Sequence, residues 1–355
     1  MSDATAKAAT GADREARDLL ESLVATPSPS GEEDDCAAVL VDYFRERGRE
    51  AFLDGAGNVR APGDDAVLLT SHVDTVPGDI PVRVADEDES YDPPVLWGRG
   101  SVDAKGPLAT MAVVAARTGV SFAGVVGEET DSRGARHLVE RRDAPDAVIN
   151  GEPSGWDGVT LGYRGILQGT YVATSESGHT SRPGPNAIQE AIGWWSRVEA
   201  EFESEPYEPV FEQVTTKPVG IEGGTSADGL SVEATLDVQL RVPPALSPGD
   251  VRERADALLE RGHVNWHDAV PPVTASPRNP VARAFRASVR AEGGDPRLLR
   301  KTGTSDMNLY AGAWDCPMAT YGPGDSDLDH APDERLSLPE LDRAVSVLTG
   351  VIDRL

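Results

Sequence analysis

Three short apolar runs constrain this chain more than anything else in it: Ala66-Val67-Leu68-Leu69, Ser121 to Val126 and Asp146 to Asn150. Each reads as a buried strand that gives way to turn residues. Just beyond them stand His72 and Asp74, then Glu128 and Glu129, then Glu152. Helical patterns fill the intervals, an Ala-rich stretch reaching about Arg117 and another over Arg133 to Arg141. Such alternation predicts an α/β sheet, and ligands of open α/β sheets gather outside the carboxyl ends of the strands. The acids and the histidine are therefore expected to converge.

Taken singly, these residues leave alternatives open. Alternate residues of a strand face the same way, so His72 and Asp74 suit a metal ligand and its orienter, and equally a hydrogen-bonded turn. Asp103 lies among glycines in Trp97-Gly98-Arg99-Gly100-Ser101-Val102-Asp103-Ala104-Lys105-Gly106-Pro107, where it could cap the helix that follows. The doublet Glu128-Glu129 is hard to explain as packing after an apolar strand, although a solvated loop would tolerate it. Of six histidines, His72, His179 and His330 sit in loops rich in Gly, Pro, Ser and Asp, whereas His137, His263 and His267 receive no role.

Imidazoles and carboxylates suit zinc, and one carboxylate bridging two ions accounts for a site with two histidines and three acids. Water shared between two such ions becomes a nucleophile at neutral pH, and a further carboxylate must accept its proton. A pair such as Glu128-Glu129 supplies both a ligand and a base.

Charge excludes other functions. The 355 residues carry 60 Asp+Glu against 33 Lys+Arg, a formal net charge of -27, and lysine occurs only at 7, 105, 217 and 301. Such a surface repels nucleic acid and anionic membranes, so neither is expected as a partner. It resembles the proteins of salt-accumulating halophiles, in which about 1 M salt shortens the Debye length to about 3 Å and screens self-repulsion. No apolar run approaches the roughly 20 residues that span a membrane, and Met1 to Ala12 reads as a loose tail without the apolar core of a secretion signal. Two cysteines, Cys36 and Cys316, are too few for a disulfide framework and fit a reducing cytoplasm.

The length allows two domains. From Gly162 the texture changes: strands over Ile166 to Thr174, Val214 to Ile221 and Leu230 to Val242 accompany helices over Ala187 to Phe202 and Pro248 to Arg261. This is the pattern of a small α+β domain inserted into the first. The chain returns near Pro271 with a helix from Val281 to Glu292, a loop from Thr302 to Asn308, a strand from Met318 to Tyr321 and a final helix from Pro339.

In order along the chain, H-x-D, G-R-G-x-x-D-x-K-G, G-E-E, G-E-P, S-G-H-x-x-x-P and D-H-x-P-x-E resemble the di-zinc amidohydrolase family of acetylornithine deacetylase, succinyl-diaminopimelate desuccinylase, glutamate carboxypeptidase and aminoacylase. The resemblance implies a zinc-peptidase-like α/β catalytic domain with a central mixed sheet, residues 1–161 and 270–355. It also implies an inserted α+β, ferredoxin-like lid and dimerisation domain, residues 162–269. Two zinc ions per subunit are implied, with cobalt as a substitute: His72 and Glu152 on one, Glu129 and His330 on the other, Asp103 bridging. Asp74 would orient His72, Glu128 would be the general base, and His179 would reach a partner subunit's site in a homodimer to polarise the scissile carbonyl. A cis peptide after the bridging aspartate, Asp103-Ala104, belongs to the same pattern.

Within the family, G-T-S-D-M-N (Gly303 to Asn308), Y-G-P-G-D-S (Tyr321 to Ser326) and L-D-H resemble a shorter archaeal and thermophile branch. Its members release lysine or ornithine from the C-terminal glutamate of LysW, a small acidic amino-group carrier protein of lysine and arginine biosynthesis. Gly303, Thr304 and Ser305 are thereby assigned to substrate binding. Arg241 and Asn186 match positions around the substrate carboxylate, and read equally as a surface arginine and a helix cap. Deacylation of free acetylornithine, N-acetyl-lysine or succinyl-diaminopimelate, and dipeptide hydrolysis, remain the alternatives. Docking an acidic carrier on an acidic enzyme requires a local basic patch or high salt, and no dense Lys/Arg run is present.

Overall fold

The computed structural model describes residues 11–85, 94–179, 181, 183–205 and 207–355. The expected N-terminal tail and the acidic loop from Ala85 to Pro94 lie, apart from their last and end residues, outside the described residues, as do Thr180 and Arg182 of the His179 loop. In chain order the elements are α1 (Gly11–Val24), α2 (Asp34–Glu46), β1 (Phe52–Leu53), β2 (Val59–Ala61), β3 (Asp64–His72), β4 (Arg83–Ala85), β5 (Val95–Trp97), α3 (Lys105–Thr118), β6 (Val120–Val125), α4 (Arg133–Arg141), β7 (Val148–Gly151) and β8 (Gly158–Tyr163). There follow β9 (Gly165–Glu176), α5 (Ala187–Glu201), β10 (Thr215–Thr225), β11 (Ser231–Val242), α6 (Pro248–Asp256), β12 (His263–Val270) and β13 (Val273–Thr274). The last are α7 (Pro280–Ala291), β14 (Arg297–Lys301), α8 (Asp306–Ala313), β15 (Met318–Tyr321), β16 (Arg335–Ser337) and α9 (Leu338–Ile352).

The chain divides into two compact units. The first takes the described residues up to Leu161 together with Ala275–Leu299 and Leu309–Leu355; the second takes Gly162–Thr274 and Arg300–Asn308.

In the first unit, hydrogen-bonded strands follow the order β1-β2-β6-β3-β7-β15-β8. β3 lies parallel to both β6 and β7, with His72 opposite Val125 and Ser71 opposite Gly151, and β15 continues parallel to β7 with Tyr321 opposite Gly151. Four parallel strands therefore end along one edge. Their apolar runs are continuous because both faces are covered; β6 and β7 are buried throughout. α3 packs on β3, β6 and β7 and in turn against α1 and α9. It is buried from Lys105 to Ala115, the all-round apolar pattern of an interior helix, and ends at Gly119 in the left-handed region. Side chains such as Leu108, Val113, Phe122 and Ile149 are 0–1% exposed, each worth about 1.5–3 kcal/mol of burial.

A second, three-stranded sheet, β16-β5-β4, joins segments from distant parts of the chain and aligns Arg335, Trp97 and Arg83. The second unit is an antiparallel sheet in the order β10-β11-β9-β12 with α5 and α6, around a core that includes Tyr171, Trp194 and Leu236. Two elements there differ from expectation. α6 stops at Asp256 rather than Arg261, where Leu258 and Leu259 bond back three residues to Ala255 and Asp256 in tight turns, and the chain then passes through Gly262, at φ 73°, into β12. β12 escapes a reading of apolar runs because its alternate residues face solvent.

Candidate metal centre

Two groups of potential ligands lie at the carboxyl edge of the parallel strands: His72, Asp103 and Glu152, and Asp103, Glu129 and His330, with ligand atoms in each group within 4.8 Å of one another. Asp103 belongs to both. The strand order explains the meeting. β6, β3 and β7 are neighbours in the sheet, so residues at or just past their ends, Glu129, His72 and Glu152, come together although far apart in sequence.

The tautomer of His72 follows from its contacts. Its Nδ1 stands 2.9 Å from the backbone carbonyl of Asp74, which only accepts, so Nδ1 carries the hydrogen and Nε2 faces Asp103 Oδ1 at 3.2 Å. The Asp74 side chain has a further task that sequence reasoning missed. Its carboxylate accepts from Ser30 Oγ (2.7 Å) and from the backbone N–H of Glu128 (3.0 Å) and of Glu129 (3.2 Å). Asp74 thus holds the Glu128-Glu129 turn as well as the imidazole. That turn is entered through Gly127 at φ 75°, a conformation side chains rarely adopt, and a Cβ there would run into Arg133, so glycine meets a backbone requirement.

Asp103 does not cap α3, whose N-cap is Ala104 with no side-chain cap bond. The Asp103–Ala104 peptide is cis, as the resemblance implied. The preceding loop is gripped by Glu334, which is fully buried. One carboxylate oxygen accepts from Arg99 (2.9 Å) and Gly100 N–H (3.0 Å), the other from Val102 N–H (2.8 Å) and Asp103 N–H (3.0 Å). Glu334 is the E of D-H-x-P-x-E, a motif visible in the sequence without a role for its last residue. His330, four residues before it, sits at φ 61° and directs Nε2 to Asp103 Oδ2 (3.2 Å) and Glu129 Oε2 (3.0 Å).

The electrostatics call for a cation. Burial opposes charge on His72, but hydrogen bonds to Asp103 and Asp74 and the nearby Glu152 raise its pKa well above the ordinary value. The hydrogen bonds of His330 to Asp103 and Glu129 push it up to about 10 against a smaller opposing effect of burial. Burial would raise Asp103 and Asp74, yet their histidine partners hold both below the usual range, Asp74 at about 2. The clustered carboxylates thus draw protons onto imidazole nitrogens that are themselves metal donors. Two imidazoles and three carboxylates, one shared, match the donor chemistry of a pair of borderline divalent ions, and the residues present fit them.

The remaining expected residues belong to the second unit. His179 is exposed, and its Nδ1 accepts from the backbone N–H of Ser181 (3.2 Å) with Ser181 Oγ at 2.8 Å; the neutral ring therefore carries its hydrogen on Nε2. Asn186 forms a capping box with Gln189 at the start of α5. Arg241 donates to Thr304 Oγ1 at 3.1 Å. Arg164, which sequence reading passed over, is brought down to about 10 by burial and by the charge of Arg241, and donates to Thr302 O at 2.8 Å. Ser305 is buried, with its N–H on Asn308 Oδ1 (3.0 Å) and its Oγ accepting from Met307 N–H (3.3 Å) at the start of α8; nothing lies within 4 Å of where a Gly303 Cβ would be.

An α/β fold with two ligand groups sharing one aspartate at its parallel-strand edge defines a dinuclear metallohydrolase architecture. The chain belongs to peptidase family M20/M25/M40, whose profile matches residues 68–354. It is 42% identical to a LysW-lysine hydrolase of Deinococcus radiodurans, covering 96% of this chain and 97% of that protein. It is 30% identical to a LysW-lysine/LysW-ornithine hydrolase of Saccharolobus islandicus, covering 96% of each. Its fold is similar to the crystal structure of a dinuclear metal-binding M20 peptidase from Bacillus subtilis, with a TM-score of 0.68 at 14% identity over 97% of this chain and 98% of that one.

Proposed function

We propose that this chain is a metal-dependent amide hydrolase that releases lysine or ornithine from the γ-glutamyl end of a LysW-type carrier protein. The observation that supports it most is the pair of ligand groups sharing Asp103, with Glu128 beside Glu129 on a turn held by Asp74. His72, Asp103 and Glu152 would hold one ion, and Asp103, Glu129 and His330 the other; zinc is the proposed native metal and cobalt a substitute. When bound, the ions supply Lewis acidity toward water and the scissile carbonyl. Glu128 takes a proton from the attacking water on a carboxylate oxygen as the water oxygen bonds to the carbonyl carbon. It then gives that proton to the departing amine nitrogen as the amide C–N bond breaks.

Residues 162–269 act as the lid and dimerisation domain of a homodimer, and residues 1–161 with 270–355 as the catalytic domain. His179, with its hydrogen on Nε2, donates to the scissile carbonyl oxygen in a partner subunit's site. Arg241 and Thr304 bind the carboxylate of the released amino acid, with Asn186, Gly303 and Ser305 around it. The enzyme works in the cytoplasm of a salt-accumulating cell, where screening tolerates its charge of -27.

The test compares release of lysine and ornithine from carrier conjugates with release from their acetyl derivatives, in high salt with zinc or cobalt. The reading expects kcat/KM on the conjugates to exceed that on the acetyl compounds by at least tenfold. Faster turnover of free acetylornithine or acetyl-lysine would replace it with a small-molecule deacylase.

A further inference from the structure

Lys105 is a buried lysine that the proposed reaction leaves idle. Its Nζ donates to the carbonyls of Leu23 (2.9 Å) and Thr26 (2.8 Å), a cation placed at the carbonyl end of α1. It anchors the start of the loop Thr26-Pro27-Ser28-Pro29-Ser30-Gly31-Glu32-Glu33, which supplies none of the candidate ligands. The loop then runs beside Val73-Asp74-Thr75. Ser28 Oγ donates to Val73 O at 2.8 Å, Thr75 N–H to Ser28 O at 2.9 Å, and Ser30 N–H to Thr75 O at 3.3 Å. Two side chains reach past this ladder. Ser30 Oγ donates to Asp74 Oδ2 at 2.7 Å, and the buried Glu33 accepts from Arg133 Nη2 on both carboxylate oxygens, at 2.7 and 2.8 Å.

Both contacts lead to one short turn. Asp74 Oδ2, which Ser30 grips, also takes the Glu129 N–H, while Oδ1 takes that of Glu128. On the other side the Arg133 guanidinium lies directly against Gly127, whose carbonyl accepts from the N–H groups of Thr130, Asp131 and Ser132 and so closes the turn. Loop folding by itself requires neither contact. The backbone of the loop is already paired, and a buried ion pair such as Glu33–Arg133 is often matched in stability by apolar residues of the same volume.

We propose that Ser30 and Glu33 are positioning residues for the general base, fixing the Glu128-Glu129 turn from two sides, Ser30 through Asp74 and Glu33 through Arg133. The inference rests on the role given to Glu128 in the proposed function and adds what aims it. A metal ligand such as Glu129 is drawn into place by its ion. A base that serves the attacking water has only its backbone and the groups behind it to set its distance, and a small misplacement there lowers the rate steeply. The loop meets that need with a hydroxyl that orients the Asp74 carboxylate and an ion pair that seats Arg133 under Gly127.

The test uses the whole enzyme carrying Ser30→Ala, Ser30→Thr or Glu33→Gln. Ser28→Ala is the control, since it removes a buried hydroxyl of the same loop that bonds Val73 rather than Asp74. Steady-state kinetics at saturating cobalt are measured on a LysW-type carrier bearing lysine and on acetyl-lysine. Amide hydrogen exchange of the metal-free protein is followed by mass spectrometry in the peptide spanning residues 127–132. Ser30→Ala is expected to lower kcat about tenfold, with KM and the cobalt isotherm unmoved and exchange in that peptide faster. Ser30→Thr keeps the hydroxyl and restores both readouts. Glu33→Gln lowers kcat about threefold by weakening a charge-assisted contact and also speeds exchange, whereas Ser28→Ala moves neither readout. Wild-type kcat and exchange in both Ser30→Ala and Glu33→Gln would overturn the positioning role and leave the proposed function standing. A loss that Ser28→Ala reproduces, or that Ser30→Thr does not repair, would also overturn it, as a defect of the loop. Full activity in Glu128→Gln overturns the base and its positioning together. A wild type faster on acetyl-lysine replaces the carrier reading alone, and the same comparisons on acetyl-lysine then decide the positioning role.

Discussion

Glu334→Gln tests the grip on the Asp103 loop with a change of one atom. Each carboxylate oxygen of Glu334 serves two donors, Arg99 and Gly100 on one side, Val102 and Asp103 on the other. Glutamine keeps one of those oxygens and turns the other into a donor, so whichever way it lies two donors lose their acceptor and face an N–H. Bonds to a charged group contribute about 1.5–3 kcal/mol each, so two lost bonds amount to about 3–6 kcal/mol. Part is offset, because burial has pushed the Glu334 carboxyl up against the pull of its donors and the amide no longer carries that desolvation. A net loss of about 3 kcal/mol is expected, a large share of a fold's usual 5–15 kcal/mol. Denaturant unfolding of the metal-free enzyme at fixed salt measures it. Cobalt titration followed by visible absorption should show metal affinity weakened about 10–100-fold, the usual effect of removing a group that orients a ligand. A variant within about 0.5 kcal/mol of wild type and with an unchanged cobalt isotherm would refute the reasoning.

Replacing Glu128 by Gln should lower kcat by about 10²–10⁴ while the cobalt isotherm stays in place; full activity would remove Glu128 from the proton path. In the metal-free protein His330 is held at about 10, so at pH 7 an ion must displace its proton. Metal affinity should rise with pH toward 10, with proton release visible calorimetrically in buffers of differing protonation enthalpy; pH-independent binding between 7 and 9 would contradict this. Asp74 is held at about 2 against an ordinary 3.8. Its folded pKa is depressed, so its stabilisation is complete above about pH 4 and is lost as pH falls through 2; Asp74→Asn should flatten that part of an acid-unfolding curve and lower kcat by loosening the Glu128 turn. Arg241→Ala should raise KM for the amino-acid conjugate at least tenfold with little change in kcat, and an unmoved KM would free Arg241 of substrate contact.

What could be read in advance followed from periodicity and strand ends. Buried parallel strands announce themselves as apolar runs, so the tips carrying His72, Glu128-Glu129 and Glu152 were visible, as were α4 and β15 to the residue. Elements whose stability comes from partners far along the chain were not. β4, β5 and β16 are three residues each and exist because distant segments pair. α8 hid within a loop motif, its start supported by Ser305 and Asn308 rather than by an apolar stripe. The grip of Glu334 was illegible because three backbone N–H groups aimed at one point are a property of dihedral angles, not of residue types.

The two ligand groups also differ in when the ribosome delivers them. His72, Asp103 and Glu152 all precede the second unit, whereas His330 and its companion Glu334 emerge only after that unit has been made. A nascent chain holds every donor of the first group while still lacking a donor of the second, and lacks β15, which separates β7 from β8 in the finished sheet. Assembly of the second ligand group is thereby tied to translation passing residue 330, so a chain cut short before it holds Asp103 and Glu129 without the imidazole that joins them.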